Sequence, residues 1–522
     1  MATVTDHDVE QQRPATATPR WPAALAGVLA AFAALAGGEL VAALVTGARS
    51  PLTSIGAVVI DLAPPALKDA AVEVLGTADK PVLIGTVLAV LLLAAAATGI
   101  LAVHRWWAGV AGVALLGAVA LAAGVADTAV SGVAAVLPSV AATAAGIAAL
   151  WVLTRAVRGW SDPADDAERR MFLRATAVVG GAAAVAGGLG RFLISQVEAA
   201  TAPSTASIPS ADDPLPTLAP DASLEVDGIT PFVTPNEEFY RIDTALRIPT
   251  VGIEDWTLRI TGMVDNPFEL TFDQLQRYDI VEADVTLACV SNEVGGNLVG
   301  NARWRGVRLT DVLSDARVRP SADQLVGRAV DGFTTGAPLD VVMDGRDALI
   351  AIGMNGEPLP RRHGFPARLV VPGLYGYVSA TKWLAELELT TFDAFDAYWV
   401  PRGWAERAPI KTQSRIDVPR ALGTVAPGRV AVAGVAWAPT RGITRVEVQV
   451  DDGPWREARL SAEVSVDTWR QWVYEWDATP GRHDLRVRAT DGTGETQTSE
   501  RQPPRPDGAT GRHGIVVTVS ET

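Results

Sequence analysis

The 522-residue chain holds a single cysteine, Cys289, inside VTLACVSNEVGGNLVGNARWRGVRL (residues 285–309), between a β-branched run and a loop of glycines and asparagines. One thiol excludes an intrachain disulfide, so Cys289 either does chemistry or fills a core position as a small apolar residue. A second stretch, GMNGEPLPRRHGFPARLVVPGLYGYVSATKWLAEL (residues 353–387), concentrates Arg361, Arg362, His363, Arg368 and Lys382 among glycines and prolines that fix sharp turns. Guanidinium forks and backbone amides at such turns suit a phosphate-bearing or otherwise anionic ligand, although arginines solvated beside proline turns give the same composition. The chain has no CxxCH, paired CxxC, HExxH, P-loop or GxSxG. Its histidines are His7, His104, His363, His483 and His513, only one of them near an apolar helix, which excludes a membrane haem held by two histidines of this chain.

The elements that must position these residues belong to two solvents. Apolar residues make up 48% of the chain, and the excess lies before about residue 195. Five stretches, 21–45, 82–103, 108–125, 133–153 and 175–194, are long and uncharged enough to cross a bilayer, with Glu39 inside the first facing another helix or the boundary. Arg13, Arg20, Arg105, Arg155, Arg158, Arg169, Arg170 and Arg174 lie on one side of these spans, against Arg49, Lys68 and Lys80 on the other. That bias sets the N-terminal tail (1–20) in the cytoplasm and everything after 195 outside. LAPPALKDAAVEVLGT, on the outer side, reads as an amphipathic surface helix. The run ERRMFLRATAVVGG, with paired arginines in 169–174 before a weakly apolar stretch, matches an internal twin-arginine export signal; adjacent positive-inside anchors are the plainer alternative.

Residues 196–224, rich in Pro, Ser, Ala and Asp, read as a linker. From 225 to 410, strand-like WTLRITG and RLVVPG and a helical FDQLQRY alternate with Gly/Pro loops, which predicts an α+β domain. From 411 to 522, VAVAGVAWA, ITRVEVQVD, RQWVYEWD, HDLRVRATD and GIVVTVS alternate polar and apolar positions between turn signals, which predicts an immunoglobulin-like β-sandwich. A net charge of −15 argues against a nucleic-acid partner.

MNGEPLPRRHGFPARLVVPGLYG with the following TKWL resembles the molybdopterin domain of the sulfite oxidase family. LACVSNEVGGNLVGNARWRGVRL resembles that family's cysteine loop and TPNEEFYRIDT (residues 234–244) its opening segment, while WRQWVYEWDATPGRHDLRVRATDGTG resembles its dimerisation domain. The resemblance implies a molybdenum–molybdopterin cofactor with Cys289 as the protein's ligand to the metal; a soft thiolate can hold a high-valent metal that exchanges an oxo group. It further implies that Asn236, Tyr240, Arg241, Asp331, His363, Arg368 and Lys382 face the cofactor. Arg241, Tyr398 and Arg505 are the candidates for contact with substrate at the catalytic centre, Tyr398 as a substitute for a tyrosine whose expected place falls near Trp404.

The departures bear on the substrate. Where sulfite oxidases carry Arg-Asn-His in the opening segment, this chain has Ile242, Asp243 and Thr244. After the cysteine, where arginines are expected, it has Ser291, Asn292, Glu293 and Val294. A small dianion such as sulfite wants fixed positive charge. The leading expectation is therefore a multi-pass cell-membrane protein with an extracytoplasmic molybdopterin domain. It moves an oxygen atom to or from a small substrate at a Cys-ligated Mo-oxo centre and exchanges electrons with a separate carrier, cytochrome or quinone-linked. Beyond membrane lipid, the dimerisation-type domain admits a homodimer. The alternatives are a sulfoxide-type reductase on the same fold and a cofactor-free membrane-anchored binding or assembly module.

Overall fold

The computed structural model describes residues 20–45, 48–62, 79–127, 130, 132–160, 166–200, 207–245 and 248–521. The tail before Arg20, the amphipathic stretch beyond Leu62 and the start of the linker at 201–206 lie outside them. The chain forms two compact units, Met1–Val197 and Glu198–Thr522.

The first unit is helical: α1 (Arg20–Leu44), α2 (Pro51–Leu62), α3 (Asp79–His104), α4 (Trp106–Ala126), α5 (Gly132–Arg158) and α6 (Asp166–Ala200). Among the described residues, all of these except α2 are long and apolar enough to cross a membrane, which is compatible with a multi-pass anchor. Small residues bring α1 and α3 into backbone contact: a side chain at Gly27 would meet the Ala95 carbonyl oxygen at 1.9 Å, and one at Gly99 the Ala23 carbonyl oxygen at 2.2 Å. Apolar helices in an apolar medium associate through such close packing. Thr98, Thr143 and Thr154 donate their hydroxyls to carbonyls one turn back at 2.8, 2.8 and 2.6 Å, so no hydroxyl among them is left bare. Two features differ from the sequence reading. The short helix α2 precedes the amphipathic stretch, and α6 begins at Asp166, which makes Arg169 and Arg170 helical and sets them directly after Asp166 and Glu168.

The second unit opens with ten strands: β1 (Thr257–Gly262), β2 (Phe268–Thr271), β3 (Ile280–Ala288), β4 (Val299–Arg308), β5 (Gln324–Ala329), β6 (Thr334–Pro338), β7 (Leu349–Met354), β8 (Glu357–Pro358), β9 (Arg368–Val370) and β10 (Leu384–Thr390). They make one mixed sheet, β2-β1-β10-β5-β6, and one antiparallel sheet, β3-β4-β7-β8, with β9 also on β7. Both faces of the second sheet are covered, but not alike. Val281, Ala283, Val285 and Leu287 of β3 join Ala302, Trp304 and Leu349 in one apolar cluster. On the other face Glu282, Asp284 and Thr286 stand opposite Arg305, Arg303 and Asn301 in register, and all three pairs are bonded, at 2.7, 2.8 and 3.0 Å.

The Pro-rich segment before the domain lies on that polar face from Ile208 onward. Arg305 donates to the Pro209 carbonyl, Arg303 to those of Leu215 and Pro216, and Glu282 accepts from the Leu215 amide. Described residues of the stretch read as a spacer are thus bonded to the sheet.

Nine further strands follow: β11 (Gln413–Val418), β12 (Thr424–Val425), β13 (Gly428–Trp437), β14 (Ile443–Val450), β15 (Arg456–Glu457), β16 (Arg459–Leu460), β17 (Arg470–Ala478), β18 (Gly481–Asp491) and β19 (Gly514–Val519). They form a four-stranded sheet, β11-β13-β17-β16, and a five-stranded sheet, β12-β19-β18-β14-β15. Val432, Trp472 and Trp476 from one sheet pack with Val446, Val487 and Val517 from the other. This two-sheet region is continuous with the preceding domain, since Val435, Trp437 and Trp469 belong to the same core as Leu258, Ile350 and Leu387. The Trp469 indole donates to the Phe232 carbonyl at 2.8 Å, and its amide donates to Thr286 Oγ1 at 2.8 Å.

Candidate active site

Cys289 is the first residue after β3 and lines a cleft that opens to solvent. Its loop returns on itself: the Cys289 amide donates to the Leu298 carbonyl at 2.9 Å, the Asn292 amide to the Cys289 carbonyl at 3.0 Å, and the Leu298 amide to Asn292 Oδ1 at 2.8 Å. Burial pushes the thiol pKa up, and hydrogen bonds from Ser291 oppose the shift.

The opening segment forms the adjoining wall. Phe239 stacks on Tyr240 with ring centroids 5.3 Å apart and meets Trp304 and His363 edge-on. Gly300 is required there, because a side chain would come within 2.8 Å of the Phe239 ring. His363 Nε2 lies 2.6 Å from the Asn236 carbonyl oxygen, which assigns the proton to Nε2 and leaves Nδ1 as an acceptor. Burial and the charges of Arg368, Arg362 and Arg241 lower the His363 pKa to about 4, so the imidazole is neutral. The Asn236 side chain does not face the cleft; it donates to the Met354 carbonyl and accepts from Asn355.

Arg368 is 5% exposed. One Nη donates to the His363 carbonyl at 3.1 Å and the guanidinium lies over the Trp304 ring, but Nε is buried without a hydrogen-bond partner. No carboxylate among the described residues forms an ion pair with it, and burial presses its pKa down to about 10. The Arg362 Nε is likewise buried and unbonded. A guanidinium kept from water without a counter-charge costs free energy that an anion in the cleft would offset. The deep end therefore fits an anionic group beside a soft sulfur donor, as a phosphate-bearing metal cofactor requires.

The mouth is arranged differently. Lys382 donates to the Ile242 carbonyl at 2.9 Å and is ion-paired with Asp243, whose carboxylate also pairs with Arg241 Nε at 3.1 Å. Asp331 lines the cleft and accepts from the Phe333 amide at 3.2 Å. Phe333, Tyr377, Trp399 and Trp404 add an aromatic wall. Of the residues singled out in the sequence, Cys289, Tyr240, Asp331, His363, Arg368 and Lys382 line one cleft. Arg241 reaches it through Asp243. Tyr398 sits a layer behind, against Phe333 and Trp399 at 5.6 and 5.1 Å, with Arg402 over its ring. Arg505, from the loop before β19, lies 5.5 Å over the ring of Trp404. Sequence reasoning did not assign site roles to Asp243 or to the aromatic wall; the density of tryptophans in YWVPRGW is the signal for the latter.

Residues 245–399 match the family described as "Oxidoreductase molybdopterin binding domain". That range contains Cys289, Asp331, His363, Arg368, Lys382 and Tyr398, and leaves Asn236, Tyr240, Arg241 and Arg505 outside. The mitochondrial sulfite oxidase of Mus musculus is 30% identical over 338 residues, covering 54% of this chain and 61% of the mouse protein. The uncharacterized oxidoreductase YuiH of Bacillus subtilis is 35% identical over 152 residues, covering 29% of this chain and 73% of the bacterial protein. The chain thus spans about three fifths of the mammalian relatives it matches. The crystal structure of the sulfane dehydrogenase SoxCD from Paracoccus pantotrophus aligns with a TM-score of 0.49 at 23% identity, covering 59% of this chain and 89% of that one.

Proposed function

Because the chain belongs to the sulfite oxidase family of molybdopterin-dependent oxidoreductases, whose cofactor is molybdenum–molybdopterin, we propose that it is a membrane-anchored enzyme moving an oxygen atom to or from a small substrate. The observation that carries this reading is the buried, carboxylate-free Arg368 in the same cleft as the Cys289 thiol. Cys289 would hold the metal, Arg368 the phosphate, and His363 Nδ1 would accept a hydrogen bond from the pterin. When bound, the cofactor supplies a two-electron redox centre that exchanges an oxygen atom. The chain's own part is to bind, orient and shield it. Burial favours the protonated thiol, so metal binding at Cys289 would release a proton and tighten as pH rises.

The mouth favours one substrate class over another. Lys382 and Arg241 share the Asp243 carboxylate, which reduces the positive charge that this wall offers to a dianion such as sulfite. This supports a second reading on the same fold, reduction of a sulfoxide-type substrate with an apolar body against Trp399 and Trp404.

The Lys/Arg bias of the helical unit supports a cytoplasmic N-terminus and an extracytoplasmic catalytic domain, and Arg169–Arg170 is read as an internal export signal for a domain that crosses already folded. A separate cytochrome or quinone-linked carrier would exchange the electrons. The C-terminal two-sheet region is read as immunoglobulin-like and as the surface of a homodimer.

Metal analysis of the full chain tests the central reading. Stoichiometric molybdenum in the wild type and its loss in Cys289→Ser are expected; wild-type protein without molybdenum defeats the enzyme reading, and unchanged content in the variant defeats the ligand assignment. Replacing Arg169 and Arg170 by lysine should leave the catalytic domain inside, as read by protease protection.

A further inference from the structure

The C-terminal region does more than share a core with the catalytic domain, because two of its side chains grip the loop that begins at Cys289. Arg415 on β11 is 9% exposed. Its three nitrogens are spread over three segments: Nη1 donates to the Gly296 carbonyl at 2.9 Å, Nε to Asp417 Oδ1 at 2.6 Å, and Nη2 to Thr230 Oγ1 at 2.8 Å. Asp417 Oδ2 in turn accepts from the Thr230 amide at 3.1 Å. A second contact comes from His513, the residue before β19. Its Nδ1 accepts from the Ile416 amide at 3.0 Å, which fixes the plane of the ring. That ring abuts Gly295, where a side chain would meet Cδ2 at 2.2 Å and Nε2 at 2.3 Å. Gly295 has φ +81°, so glycine is needed there twice over, for the turn and for the approach of the ring.

The internal bonds of the loop, from Cys289 to Leu298 and from Asn292 to both, define its shape, and none of them reaches its far side at Gly295. The β3–β4 ladder anchors the two ends of the loop, at Ala288 and Val299, and its far side is held from outside, at adjacent residues Gly295 and Gly296, by His513 and Arg415. A fork with three bonded nitrogens, paired to a carboxylate and kept from water, is a stiff attachment.

We propose that Arg415 and His513 are positioning residues that fix where the Cys289 sulfur sits, so that the C-terminal region is part of the active site's construction. The consequence for the metal rests on reading Cys289 as its ligand; the grip itself does not. Cys289 is the sole cysteine in 522 residues, so alkylation by iodoacetamide reports that sulfur alone. In full-length protein prepared without cofactor, Arg415→Ala should speed Cys289 alkylation by about tenfold, and His513→Ala and Arg415→Lys by smaller factors, as local opening of the loop becomes easier. Val446→Ala in the sandwich core is the control, lowering Tm without touching the loop. In cofactor-loaded Arg415→Ala, the Mo(V) resonance should shift in g-values, a change that loss of global stability does not produce. Alkylation of Arg415→Ala and His513→Ala at the wild-type rate, or an equal acceleration in Val446→Ala, overturns the proposal. Retention of molybdenum by Cys289→Ser would instead sink the ligand reading and leave the alkylation result standing.

Discussion

Two cations line one cleft under opposite conditions. Arg368, at the deep end, is nearly sealed from water and has no carboxylate in ion-pair contact among the described residues, whereas Lys382, at the mouth, is ion-paired with Asp243. Both were expected from sequence to face the cofactor. The difference teaches that the two ends hold their positive charge differently: an uncompensated buried guanidinium is stabilised by whatever anion enters, while a lysine already paired gains less from a second one. The cleft thus differs along its length, with a guanidinium that has no carboxylate partner among the described residues at one end and an ion-paired lysine beside aromatic rings at the other.

The largest effect should come from breaking the cleft at its sulfur. Cys289→Ser replaces a soft donor by a hard, weakly acidic one and should abolish oxidoreductase activity with molybdenum content falling to background, as measured by elemental analysis. Arg368→Met comes next and separates the two halves of the comparison. Removing a charge-assisted contact of about 1.5–3 kcal/mol should weaken cofactor retention by roughly 10- to 100-fold. The cofactor-free protein should nonetheless become more stable in denaturant titration, because an unpaired buried charge has been removed. A loss of stability in both forms would mean that Arg368 is a packing residue and that the deep end holds no uncompensated charge for an anion.

Asp243→Asn addresses the mouth. It frees Lys382 and Arg241 from their shared carboxylate, and inhibition by sulfate should strengthen by about tenfold, roughly the coupling of one partly buried charge pair. Weaker inhibition, or none, would show that Asp243 does not set the charge seen by substrate.

The uneven treatment of these charges also explains what could be read beforehand. Strand positions were legible wherever one face is apolar and the other wet, as in the alternation from Val446 to Val450 of β14. The β3 strand is buried along almost its whole length, and its Glu282 and Asp284 look like surface residues until the paired arginines of β4 are seen across from them. Cys289, His363 and Arg368 were legible because their spacing lies within contiguous motifs. Asp243 was visible only as a departure from the expected triplet. Its pairing with Lys382, 139 residues away, and the reach of Arg415 to Gly296, 119 residues away, depend on tertiary approach that no local pattern encodes.

The smallest effect concerns a charge that resembles Arg368 in being unpaired but has no ligand in view. Asp467, 8% exposed in the sandwich near the Trp469 junction, accepts from the Thr440 amide at 3.0 Å and has no cation in ion-pair contact among the described residues. Burial raises its pKa to about 6 from an ordinary 3.8. The folded carboxyl therefore binds its proton more tightly than the unfolded one, so its cost to stability is absent below about pH 4, grows through the window between the two values, and is complete above about pH 6. Asp467→Asn keeps an acceptor for Thr440 and removes the titration. It should stabilise the protein by about 1 kcal/mol at pH 7.5, less than the full shift implies because the bond from Thr440 to a charged oxygen is weakened, and by only about 0.2 kcal/mol at pH 4. Thermal unfolding at the two pH values measures the difference. If the gain is as large at pH 4 as at pH 7.5, the carboxyl is not the source, and the contrast with Arg368, where an unpaired charge is read as kept for a ligand, loses its second example.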